Sequence, residues 1–286
     1  MRRNSNMSHC FVFARTFALS IAMVTLLIST SEGGFTTYLS AGADPAAITP
    51  MRDAFRLAIG GGAVAGGNGS FGGLRREINW DGVGDAFADP NALPGNFFNV
   101  NSPRGVVLST PGTGFAVSSS AGSGTPILYG FPGDFQTFSA QRLFTAINSN
   151  VTDVTFFLPG TTTPATTNAF GTIFADVENG LLTKLDFFDE NNTNIFTIDA
   201  GVAGNQGLSF LGAVANAGER ISRVRVTSGL NTIVQNGSIG NPNDDVVVMD
   251  DFIYAEPIVV PEPGSLVLII GALIALGANR SRCRGR

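Results

Sequence analysis

The sequence predicts a mainly β fold: an antiparallel β-sandwich of jelly-roll type with one short N-terminal helix. Three observations predict it. Gly is abundant (36 of 286 residues), and Phe (23) far outnumbers Tyr (3) and Trp (1). That profile suits short strands joined by many turns better than long amphipathic helices. Seven runs rich in Val, Ile, Phe and Thr recur along the chain: Arg104–Ser109, Val151–Leu158, Phe170–Val177, Leu182–Asp189, Leu208–Val214, Ile221–Thr227 and Val246–Tyr254. Clusters of Asn, Asp, Gly and Pro separate them, notably Asn191–Asn194 and Gly237–Asp245.

In chain order, residues 1–31 read as a secretory signal peptide. Arg2, Arg3 and Arg15 precede an apolar run of 12 residues, Phe17–Ile28, and the small residues Ser29, Thr30 and Ser31 form a cleavage point. A run of that length is short for a membrane span and normal for a secretory signal. The next element is the predicted helix, with Thr49 as its cap and Pro50 at its first position. Met51, Phe55, Ala58 and Ile59 share its apolar face, and Gly60–Gly62 stops it. Eight glycines between Gly60 and Gly73 mark a loop, with no Gly-Lys-Ser/Thr to make it a phosphate loop. In the strands beyond, Ser222–Val226 alternates and so puts Arg223 and Arg225 on a wet face. Val246–Met249 is apolar throughout, as in a strand covered on both faces.

Charge and composition exclude several function classes. Between residues 32 and 260, ten basic residues face 21 acidic ones, a net charge of about −11. Such a body has no electrostatic footprint for nucleic acid. Cys10, Cys283 and His9 all lie in the terminal segments, so the body has neither Cys nor His. It therefore has no disulfide, no Cys/His zinc site and no Ser-His-Asp or Cys-His nucleophile.

The C-terminal end carries the most specific pattern. Val259-Val260-Pro261-Glu262-Pro263-Gly264-Ser265 leads into the apolar run Leu266–Ala278, and Arg280, Arg282, Arg284 and Arg286 close the chain. Two prolines keep the motif extended, the apolar run suits a bilayer, and the arginines suit its cytoplasmic side. This three-part order resembles the PEP-CTERM sorting signal. The resemblance implies a transmembrane helix at the C-terminus, an inner-membrane-anchored precursor and an exosortase, a membrane cysteine transpeptidase, as partner. It also implies delivery to the cell surface or an exopolysaccharide matrix. The sorting residues it names are Pro261, Glu262, Pro263, Arg280, Arg282 and Arg284. The domain division is then 1–31 signal peptide, 32–257 extracytoplasmic β-sandwich and 258–286 sorting segment. Arg75–Gly82, Leu93–Asn99, Ser102–Val106 and Val248–Phe252 further resemble a module of PEP-CTERM precursors, to which no activity attaches.

Within the body, Asp250-Asp251 in the last strand run is the sharpest candidate site. A structural calcium there would need six to eight oxygens, with Asp244, Asp245, Asp176 and Glu178 as further donors. Trp80, in Trp80-Asp81-Gly82, has two readings, a sugar platform or a core tryptophan, and the scarcity of other Trp and Tyr favours the core. Three function classes follow. The first is a non-catalytic surface or matrix protein. The second is a calcium-dependent glycan- or protein-binding module. The third is a hydrolase with a carboxylate pair such as Glu77 and Asp81 in a deep cleft. No catalytic residue is assigned.

Overall fold

A computed structural model describes residues 30–32, 34–119, 129, 131, 133–234, 238–239 and 245–259. The signal segment up to Ser29, Asp244, the Pro261–Pro263 motif, the apolar run and the terminal arginines lie outside the described residues. Among the described residues, no helix is long and apolar enough to cross a membrane.

Strands β1 (Thr30–Glu32) and β2 (Phe35–Gly42) precede helix α1 (Pro45–Ile59). Then come β3 (Arg75–Ile78), β4 (Val106–Ser109), β5 (Gly114–Val117), β6 (Phe144–Ile147), β7 (Val151–Phe156), β8 (Ala165–Thr166) and β9 (Ala169–Ala175). The chain continues through β10 (Lys184–Phe188), β11 (Asn194–Asp199), β12 (Leu208–Ala215), β13 (Arg223–Thr227), β14 (Ile233–Val234), β15 (Ser238–Ile239), β16 (Val248–Ala255) and β17 (Ile258–Val259). One sheet runs β1-β2-β12-β9-β16-β6-β14-β15, with β3 beside β16 and β5 beside β6. The second runs β11-β10-β13-β7-β4, and β17 with β8 forms a two-stranded ribbon. The chain crosses repeatedly between sheets, from β7 to β9, β9 to β10, β11 to β12, β12 to β13 and β13 to β14.

The two sheets enclose one apolar layer, in which Phe35, Phe170, Phe174 and Phe252 meet Val154, Phe156, Leu185, Phe187 and Val224. A second apolar layer lies on the other face of the larger sheet, where α1 covers β12 and β2. Sitting between these layers, β9, β12 and β16 have no wet face, and almost every residue in them is buried. Strand β13 has one wet face, so it alternates: Val224 and Val226 point inward while Arg223 and Arg225 point out. Those two guanidiniums hold Asp153 of β7 at 2.6 and 2.8 Å. Burial alone would raise the Asp153 pKa; the two arginines overcome it and hold the carboxyl below its ordinary value.

Helix α1 begins five residues before the sequence-based position. Asp44, not Thr49, is its cap and accepts from the Ala47 N–H at 3.0 Å, and Pro45, not Pro50, takes the first position. Both Asp44-Pro45 and Thr49-Pro50 carry the start signal, and the earlier one wins because it brings Ile48 onto the buried face with Met51, Phe55 and Ile59. Pro50 stays inside the first turns, and the Thr49 hydroxyl donates to the Pro45 carbonyl at 2.7 Å. The stop at Gly60 holds, with φ +77°. On the sheet below, a Cβ at Gly212 would lie 3.0 Å from the Phe55 ring, so glycine there lets the helix approach.

Each of the seven predicted strand runs holds a strand, with limits shifted by one or two residues: β9, β12 and β16 each run one residue past the predicted range, and the others lie within it. At the two ends of the described body, Thr30–Glu32 pairs with Phe35–Thr37, and Ile258–Val259 pairs with Ala165–Thr166.

Candidate functional site

Asp250 and Asp251 sit where the pairing register between β16 and β9 jumps, between Met249 and Phe252. A bulge of this kind turns adjacent side chains out of simple alternation, and both carboxylates end up buried, at 0 % and 4 % exposure. The acceptors of Asp250 are filled. Its Oδ2 accepts from the Phe138 N–H at 2.7 Å and the Ser139 N–H at 3.3 Å. Its Oδ1 accepts from the Ser139 hydroxyl at 3.1 Å and the Asp251 N–H at 2.8 Å. The Ser139 hydroxyl also lies 3.2 Å from Asp251 Oδ1. Arg52 of α1 stacks over the Phe138 ring at 4.6 Å and closes the segment from outside.

Burial first, then repulsion from the Asp251 carboxylate, pushes the Asp250 pKa well above its ordinary value. Burial pushes Asp251 up to about 6. Burial and the like charge of its neighbour both favour the protonated form of Asp250.

Trp80 belongs to the same construction and is a core residue; the sugar-platform reading is overturned. Its ring is fully buried, stacked on Phe144 at 4.0 Å with 4° between planes, and met edge-on by Phe98 and Phe252. Its Nε1–H donates to the Asp250 carbonyl at 2.9 Å, so no face is left for a pyranose.

The other carboxylates are also committed. Glu77 takes Arg56 through both oxygens at 2.7 Å and Arg75 at 3.1 Å. Asp81 accepts from the Arg142 N–H at 2.8 Å. Glu77 and Asp81 are therefore not an isolated pair facing a cleft. No protein-family model matches the chain, and no curated protein sequence matches it.

The sequence grouped Asp245, Asp176 and Glu178 with Asp250-Asp251, and the fold separates them. Asp176 directly follows β9 and Asp245 lies three residues before β16, at the end of this strand pair where Ala175 faces Val248, and there Asp176 feels Glu178, Asp134 and Asp245. Among the described residues, no three acidic side chains converge closely enough to hold a metal ion. The Asp250 oxygens, surrounded by N–H and O–H donors instead of carbonyls, are a poor fit to calcium as well.

Asp176 supplies a prediction. It is buried, has φ +73°, and accepts from the Gln206 N–H at 2.9 Å. Burial, more than its acidic neighbours, pushes its pKa up to about 7. A carboxyl raised on folding adds stability that is complete below its ordinary pKa and is lost as pH rises through the folded value. The melting temperature should therefore fall between pH 5 and pH 8. Asp176→Asn keeps the acceptor oxygen and tolerates positive φ. It should raise the melting temperature at pH 8 and leave it unchanged at pH 4. A variant that melts below wild type at pH 8 refutes this.

Phe138, Ser139 and Arg52 are the site residues that sequence reasoning missed. No motif marks them, because a bond from position 139 to position 250 leaves no local signal.

Proposed function

We propose that this protein is a non-catalytic surface or exopolysaccharide-matrix protein, exported through residues 1–31 and sorted through its C-terminal segment by an exosortase-type transpeptidase. The observation that carries the reading is the fixed order Pro261-Glu262-Pro263, apolar run Leu266–Ala278, then Arg280, Arg282 and Arg284. The apolar run spans 13 residues, about 20 Å of helix against a hydrocarbon core of about 30 Å. A span that short suits a transient handle for a membrane enzyme better than a permanent anchor. The structural role of the body is supported by the engagement of Asp250, Asp251, Glu77 and Asp81 in internal bonds. Its sandwich is read as a jelly roll because the chain crosses between sheets at most connections from β7 to β16. The acidic body repels nucleic acid, and the partners are the inner membrane, the transpeptidase and the matrix.

The test replaces Pro261, Glu262 and Pro263 with alanine in an exosortase-bearing host. Insertion should persist, because alanines lengthen the helix, while maturation stops. Full-length chain should then accumulate in the inner membrane, read by fractionation and by mass spectrometry of both termini. A triple variant that matures like wild type overturns the proposal.

A further inference from the structure

We infer that the end of the sandwich carrying β8 and β17 lies against the lipid bilayer while the precursor is anchored. The inference rests on the sorting reading above and adds to it an orientation and a contact surface. Strand β17 is fastened to the body: Ile258 pairs with Thr166 and Val259 with Ala165. Arg220 ties it further, donating from Nη2 to the Val259 carbonyl at 3.2 Å and from Nε to the Thr166 hydroxyl at 2.9 Å. From Val259 to Leu266 the sequence advances only seven residues, a reach of at most about 25 Å when fully extended. Two prolines and no long linker lie in that stretch, so the body stays close to the surface that its tail enters.

The composition of this end agrees with the tether. Val64, Leu74, Ile258 and Val259 are each at least 46 % exposed. They are neighbours: Leu74 and Ile258 line one shallow depression, and Val64 and Leu74 line the next. The Glu256 N–H donates to the Leu74 carbonyl, which fixes the loop to the last strands. The nearby charges are balanced, with Arg76 paired to Glu256 at 2.8 Å. An apolar rim on a neutral surface, held within one short tether of a membrane, matches an interfacial contact. Leu181 provides the contrast. It is also exposed, but it lies beyond the Ala175 end of β9, a full seven-residue strand away, or about 23 Å.

The experiment uses the full chain with Cys10 and Cys283 replaced by Ser, reconstituted in phosphatidylethanolamine–phosphatidylglycerol vesicles. An environment-sensitive fluorophore is attached at Leu74→Cys or at Leu181→Cys, and quenching is read with headgroup-level nitroxide lipids. The Leu74 label should be quenched several-fold more than the Leu181 label. Equal quenching in vesicles whose tail resists alkaline extraction overturns the orientation and leaves the sorting reading intact. Release of the chain by alkaline extraction overturns both. A Leu74 label shielded from an aqueous quencher, indifferent to nitroxide lipid and cross-linking copy to copy, assigns the patch to a second copy and also overturns the inference.

Discussion

Trp80→Ala should lower the stability of the sandwich by about 3–5 kcal/mol, a fall in melting temperature on the order of 10 °C for a domain of this size. The indole is fully buried and makes three ring contacts, the closest with Phe144 at 4.0 Å. Its loss leaves a cavity between Phe98, Phe144 and Phe252, and it also strands the Asp250 carbonyl, which no longer receives the Nε1–H. Trp80→Phe should recover much of the packing but not that bond, and so fall between wild type and alanine. Thermal unfolding of the three proteins checks the order. A ring that bound sugar on the surface would behave otherwise, with an unchanged melting curve, and that outcome returns Trp80 to the solvent.

How much of this arrangement the sequence discloses depends on whether a residue's surroundings are local. The strands with runs of Val, Ile and Phe are legible because both of their faces, or one face in strict alternation, meet apolar layers. Five further strands are not. Phe35–Gly42 and Asn194–Asp199 carry Thr, Ser, Gly and Asn that read as turn residues, yet β2 is aligned with β12 along eight consecutive residues. Arg75–Ile78 reads as polar, but the Arg75 guanidinium is buried by donating to the Gly60 and Gly62 carbonyls and stacking on Phe71. Gly114–Val117 and Phe144–Ile147 are too short for any period to show. At the candidate site, the adjacent aspartates are visible as a pair and Trp80 is visible as core. Their mutual bond and the Phe138–Ser139 donors join positions more than 100 residues apart, which no local pattern encodes. The same limit explains why Asp176, Asp245 and Glu178, grouped with Asp250 by residue type, do not converge with it into a metal site.

Asp250→Ala should destabilise the body about as strongly as the loss of Trp80, because it removes a hub and not a surface charge. Two backbone N–H groups from Phe138 and Ser139, the Ser139 hydroxyl and the Asp251 N–H all use its oxygens. The Asp251 N–H is buried and the Phe138 and Ser139 donors are half-buried; a buried donor left without an acceptor costs about 1–3 kcal/mol and a half-buried one less, and the hydroxyl can turn to Asp251, so a net loss of about 3 kcal/mol is expected. The segment around Phe138 should then open first, seen as faster amide exchange at Phe138 and Ser139 than in wild type. Asp250→Asn should help little, because its NH₂ group faces N–H donors whichever way the amide turns. Asp251→Asn is the informative contrast. It retains an acceptor for Ser139, at 3.2 Å in the native protein, and it removes the like charge that helps push Asp250 upward. At pH 8, where the raised carboxyls reduce stability most, that variant should melt at or above wild type. Chelator supplies the remaining comparison. If Asp250 and Asp251 held calcium, removing divalent ions from the wild type would reproduce the loss seen in Asp250→Ala, and both substitutions would abolish any gain from added calcium. Hydrogen bonding to Phe138 and Ser139 predicts instead that the chelated wild type keeps its melting temperature while Asp250→Ala loses it in either buffer.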